Sequence, residues 1–138
     1  MSSKWKNLIA IGIGAAIGTI SRYWLNLLTL ETGYPFGTII ENLFGSFLLG
    51  FLTAWFLVFV PKEWVKTGLG VGLCGGFTTM STLAADSTFL FLTYTPFESA
   101  IYVLGSMLGG ISLAFIGYLI GRFLAKKMKQ RQTEVNPG

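Results

Sequence analysis

Three stretches of this chain place polar groups where the surrounding residues are almost entirely apolar. The first is Gly37-Thr38-Ile39-Ile40-Glu41-Asn42-Leu43-Phe44-Gly45-Ser46-Phe47. Asn42 lies about one turn into the helix that this stretch opens. Its amide can donate hydrogen bonds to an anion, or it can join two helices. The second is Gly72-Leu73-Cys74-Gly75-Gly76-Phe77-Thr78-Thr79-Met80-Ser81-Thr82-Leu83. Adjacent glycines followed by four hydroxyl residues make a poor continuous helix. A break here frees carbonyls, which coordinate hard cations, and amides, which face anions. The alternative is an intact helix whose hydroxyls bond back to carbonyls one turn earlier. The third is Tyr102 and Ser106, four residues apart and therefore on one helical face. One hydroxyl above another makes a track for a small ion, although Tyr102 also suits an interfacial anchor. Arg22 is either an anion attractor at a vestibule or a snorkelling side chain at a helix end. Asp86 closes the third apolar run and either caps it or pairs with Arg22.

What is missing narrows the chemistry further. The chain has no histidine and one cysteine, Cys74. That removes disulfides, structural zinc and Ser-His-Asp or Cys-His catalysis, so the sequence does not read as an enzyme. Cys74 fits a small buried apolar position. No acidic residue sits at the centre of an apolar run, which argues against proton-coupled cation antiport. Amides, hydroxyls and aromatic rings suit a small, strongly hydrated monovalent anion instead.

The elements that must carry these groups are membrane spans. Only 12% of the 138 residues are charged, 52% are hydrophobic, and mean hydropathy is +0.64. A soluble domain carries about 25% charged residues, so lipid is the solvent this chain is built for. The charge-poor runs are Asn7 to Ser21, extendable to about Leu28 through Arg22, then Asn42 to Val60, Thr67 to Ala85 and Ser99 to Gly121. Four spans of about 20 residues fit. Pro35, Pro61 and Pro96 fall in the connections, where a missing N–H costs least. The expected architecture is an all-α membrane protein: one four-helix transmembrane domain over residues 1–125, the third helix broken mid-membrane, and a polar, basic, frayed tail over 126–138. The first span has no cleavage site after a short apolar region, so it is expected to stay attached. Glycines recur four apart, at Gly14 and Gly18, Gly68 and Gly72, Gly105 and Gly109, Gly117 and Gly121. Such spacing lets helices approach closely in lipid, within a subunit or between subunits. Nine of the ten basic residues share one side of this topology, Arg22 alone excepted. Both termini are then expected in the cytoplasm.

These residues resemble the Fluc (CrcB-type) fluoride channel family over nearly the whole chain. Gly14-x-x-x-Gly18-x-x-x-Arg22-Tyr23 looks like its first-helix motif, and Gly37-Thr38 with Asn42-x-x-Gly45-x-Phe47 its second. Gly72-x-Cys74-Gly75-Gly76-x-Thr78-Thr79-x-Ser81-Thr82 is similar to the third-helix signature, and Tyr102-x-x-x-Ser106 to the fourth. The resemblance implies an antiparallel dimer in a bacterial cell membrane, with two pores exporting fluoride passively to relieve its toxicity. It implies pore-lining roles for Asn42, Thr79, Met80, Ser81, Thr82, Leu83, Tyr102 and Ser106, with Arg22 at the vestibule. It implies a structural sodium ion at the dimer centre, held by the backbone carbonyls of Gly75 and Thr78. The partners implied are fluoride, membrane lipid and a second subunit, with no nucleic acid. Three positions depart from the pattern. Met80 and Leu83 stand where the family usually has phenylalanine, and Asp86 where it usually has glutamate. Together with the charge bias, this makes a heterodimer with an oppositely oriented homologue the expected assembly. The alternatives are a non-conducting partner subunit needed only for assembly and a small multidrug-type antiporter. The latter requires a mid-membrane glutamate in span one, which this chain lacks.

Overall fold

A computed structural model describes residues 2–135, and every regular element in it is helical. Helix α1 spans Ser3–Thr29 and ends in a 3-10 turn, Leu30–Thr32, closed by Gly33. Gly33 has φ of 66°, a left-handed conformation that a side chain would strain, and it reverses the chain. Helix α2, Phe36–Val58, starts directly after Pro35 and stops before Pro61. The next helical segment is assembled from pieces. They are α3 (Glu63–Lys66), a π-helical stretch (Thr67–Cys74), α4 (Gly75–Phe77), two extended residues, and α5 (Met80–Thr93). Three glycines among the eight π-helical residues lower the preference for a regular α-turn there. Helix α6, Pro96–Val135, has proline at its first position and Thr95 Oγ1 accepting from the Glu98 N–H at 3.2 Å.

Among the described residues, three helices are long and apolar enough to cross a membrane: Ser3–Thr32, Phe36–Val58 and Pro96–Glu134. Their outer surfaces are apolar, and the exposed tryptophans and tyrosines gather at the ends. Trp5 and Trp64 are exposed at one end, and Tyr23, Trp24 and Tyr94 at the other. Along α1, Trp5 and Trp24 stand about 28 Å apart, which matches a hydrocarbon core of about 30 Å. The protein is therefore a multi-pass membrane protein with interfacial aromatic belts.

Glycine sets the packing. A Cβ on Gly72 would sit 2.7 Å from the Ile11 carbonyl oxygen, and one on Gly76 would sit 2.6 Å from that of Ala15. Gly14 and Gly18 meet the backbones of Gly68 and Leu73 in return. The same interlock joins α2 to α6, where Gly117 and Gly121 abut the carbonyls of Phe47 and Phe51, and Gly50 abuts Ala114. Residue numbers rise together across both contacts, so α1 runs parallel to the segment 63–77, and α2 parallel to α6.

Two expectations change. The basic segment after residue 125 is not frayed: α6 continues through it to Val135, and residues 136–138 lie outside the described residues. Leu124, Ala125, Lys126, Lys127, Met128, Lys129, Gln130 and Arg131 are strong helix formers, and their charge does not lower that propensity. The helical segment that carries the third apolar run is also longer than Thr67 to Ala85, extending from Glu63 to Thr93 on either side of the break.

Candidate functional site

Thr78 (φ −78°, ψ 153°) and Thr79 (φ −147°, ψ 127°) are both extended, and they interrupt the helical segment. The interruption is held by specific bonds. Asn42 on α2 grips Thr79 in both directions, its Nδ2 donating to the Thr79 carbonyl at 2.9 Å and its Oδ1 accepting the Thr79 N–H at 2.8 Å. In a continuous helix that N–H would bond the Gly75 carbonyl. The Thr82 N–H, which would bond the Thr78 carbonyl, goes instead to Thr79 Oγ1 at 3.2 Å and caps α5. The carbonyls of Gly75 and Thr78 thus lose their helical donors through two identifiable diversions. Released carbonyl oxygens are hard donors of the kind that hold alkali cations. Among the described residues, no group of three or more His, Cys, Asp or Glu side chains could hold a metal ion.

The break opens onto a groove of ≈ 380 Å³ between α2, the π-helical stretch and α6. Asn42, Thr79, Met80, Leu83 and Ser106 line it, as do Gly75 and Thr78. Seven of the sequence-predicted positions therefore meet in one place. Gly75 is exposed, and a Cβ added to it would meet nothing within 4 Å. Met80 is 73% exposed. Asn42 carries two amide hydrogens, of which the Thr79 carbonyl takes one.

Ser81 and Thr82 do not line the groove. Their hydroxyls converge on Thr79 Oγ1, at 3.2 and 3.0 Å. Tyr102 is buried beside Leu83 and Leu90, and its hydroxyl donates to Asp86 Oδ2 at 2.9 Å. Tyr102 and Ser106 share a face as expected, but Ser106 reaches the groove while the Tyr102 hydroxyl engages Asp86. Asp86 lines a second pocket of ≈ 300 Å³, with Asn26 and Thr38, near the loop that follows α1. Of the two partners weighed for Asp86, capping and Arg22, the structure uses neither bond and supplies Tyr102. Arg22 is half-buried on α1, away from the groove lining.

Sequence reasoning passed over Glu41 and Asn26. Glu41 is fully buried, and Asn26 Nδ2 donates to its Oε1 at 2.6 Å. The available signal was an acidic residue within two helical turns of Pro35, at the mouth of an apolar run.

Comparison with known proteins covers most of the chain. The family described as CrcB-like protein, Camphor Resistance (CrcB), matches residues 9–118. A relative in Halalkalibacterium halodurans named "Fluoride-specific ion channel FluC 2" is 64% identical, the alignment covering 91% of this chain and 92% of that one. "Fluoride-specific ion channel FluC 2" of Bacillus subtilis is 41% identical, covering 84% and 88%. "Fluoride-specific ion channel FluC 1" of Bacillus anthracis is 39% identical, covering 86% and 90%.

Proposed function

The chain belongs to the CrcB family, and from that membership we propose that it is a subunit of a fluoride-specific ion channel in a bacterial cell membrane. The observation that carries the reading is the helix break opening onto an uncovered groove, with Gly75 and Met80 exposed beside it. Irregular backbone at membrane depth is tolerated only where protein buries it or a cavity runs past it. That supports four crossings, with residues 63–93 as the third, and a second subunit seated over the groove in antiparallel orientation.

In this arrangement the groove lining offers the anion hydrogen-bond donors and no charged side chain. Asn42 offers its second amide hydrogen, Ser106 its hydroxyl, and Thr79, Ser81 and Thr82 a cluster of hydroxyls beside the break. Tyr102 continues the track, Met80 and Leu83 form its apolar walls, and Arg22 attracts the anion towards the vestibule. The oxygens of Gly75 and Thr78 fit a sodium ion. Such an ion would stiffen the break and set a positive charge beside the anion path. Export is passive: a negative-inside potential drives the anion out by about 2.3 kcal/mol per 100 mV.

The basic residues favour one insertion, with termini inside. An antiparallel partner is then a homologue of opposite bias, and the numbered names FluC 1 and FluC 2 among the relatives are in keeping with more than one such chain. The test is fluoride efflux from liposomes holding this chain alone or together with a FluC 1-type homologue, with terminus accessibility measured in parallel. The mixed pair is expected to conduct, and the lone chain to insert one way and conduct poorly. Mixed orientation with robust efflux from the lone chain restores a homodimer. No efflux from either preparation removes the channel reading.

A further inference from the structure

Glu41 is fully buried, and the channel reading leaves it without a task. Its Oε1 accepts from Asn26, while its Oε2 is buried with no hydrogen-bond partner. The charges that act on it are those of Arg22 and Asp86. An aliphatic side chain would be cheaper in this position, because a half-satisfied carboxyl group loses hydration without full compensation. Ionisable groups inside membrane helices are by default functional.

Three sets of side-chain hydrogen bonds form a closed circuit around the break. On one lip, the Gly76 carbonyl accepts from Thr19 Oγ1 of α1 at 3.4 Å. On the other lip, Thr79 is gripped by Asn42 of α2. The Asn26–Glu41 bond ties α1 to α2 and closes the circuit. Close packing keeps Asn26 in register: a Cβ on Gly37 would stand 2.6 Å from both Asn26 Oδ1 and Thr29 Oγ1. Glu41 and Asn42 are consecutive, so the anchor on α1 and the grip on the break move as one helical turn.

We propose that Glu41 is a positioning residue: through Asn26 it fixes the spacing of the two helices that hold opposite lips of the break, and so keeps Asn42 on Thr79. The proposal rests on reading the break as the ion site. Its test uses the full chain, in the assembly in which the wild type conducts. The variants are Glu41→Gln, Glu41→Val and the double Asn26→Leu/Glu41→Val. Fluoride efflux from liposomes is read alongside amide hydrogen exchange at Thr79, with α6 amides as the internal reference. Glu41→Gln, whose Oε1 still accepts, is expected within about twofold of wild type in both readouts. Glu41→Val is expected to lose efflux by about tenfold or more and to speed Thr79 exchange by a similar factor, with α6 protection unchanged. The double variant removes both members of the Asn26–Glu41 bond, so it tests the same link should the single valine variant fail to fold, and it is expected to show the same two losses. Wild-type Thr79 exchange in the double variant overturns the proposal, whatever the efflux. A Glu41→Gln variant as defective as Glu41→Val also overturns it. The exchange readout needs no conduction, so a silent wild type strikes the channel reading alone.

Discussion

Asn42 and Thr79 show how one side chain makes a site that its residue type only suggests. The Asn42 amide matches both backbone groups of Thr79, a donor to the carbonyl and an acceptor for the N–H. Asn42→Asp keeps the acceptor, loses the donor and places a negative charge on the groove. Fluoride efflux is expected to fall by about a hundredfold or more, because an unmet buried group costs about 1–3 kcal/mol and the new charge repels the anion. A fluoride electrode on liposomes checks this, and unchanged flux from an assembled variant would take Asn42 off the path. Thr79→Ala removes the cap of α5 and is expected to destabilise the chain by about 1 kcal/mol, whereas Thr79→Ser is close to neutral. Thermal unfolding in detergent measures the difference. The polar residues were legible because they stand out from an apolar background. Their partners were not, since the Asn42–Thr79 bond spans 37 residues and exists only once α2 lies beside the break. Glu41 escaped notice for the same reason: its burial is set by Asn26, fifteen residues earlier on another helix.

At the scale of the element, steric room separates one glycine from another. Gly72→Ala pushes a Cβ to 2.7 Å from the Ile11 carbonyl oxygen, whereas Gly12→Ala meets nothing within 4 Å. The first is expected to destabilise the chain by about 1–3 kcal/mol. The second is expected to be neutral or to stabilise it by about 0.5–1 kcal/mol. Melting temperatures of the two variants should therefore move apart, and equal melting points would deny the interlock between α1 and the π-helical stretch. The helices and the break were readable locally, from charge-poor runs, three prolines, and Gly75-Gly76 followed by hydroxyl residues. The π-helical stretch was not, because a wider turn has no residue pattern of its own. The run of α6 past Gly121 was misread because charge was taken as a sign of fraying, when lysine, arginine and glutamine favour helix nearly as well as leucine.

For the whole molecule, the open side of the break is the decisive surface. Gly75→Leu adds a side chain whose Cβ meets nothing within 4 Å in its own subunit. The variant is expected to fold with a normal melting temperature and to fail in pairing, as read by crosslinking in membranes. Loss of folding instead would show that the groove is closed within one chain. The helix that outruns the bilayer has another use. From Arg122 to Val135, α6 projects about 20 Å beyond Gly121 as a continuous rod. Cys74, the sole native thiol, is buried, so a spin label on Thr133→Cys reports from the tip of that rod without background. Two tips on opposite membrane faces stand about 70 Å apart or more, and two on the same face stand far closer. The basic extension is thus a built-in ruler, and a single interspin distance tells up-down from side-by-side assembly.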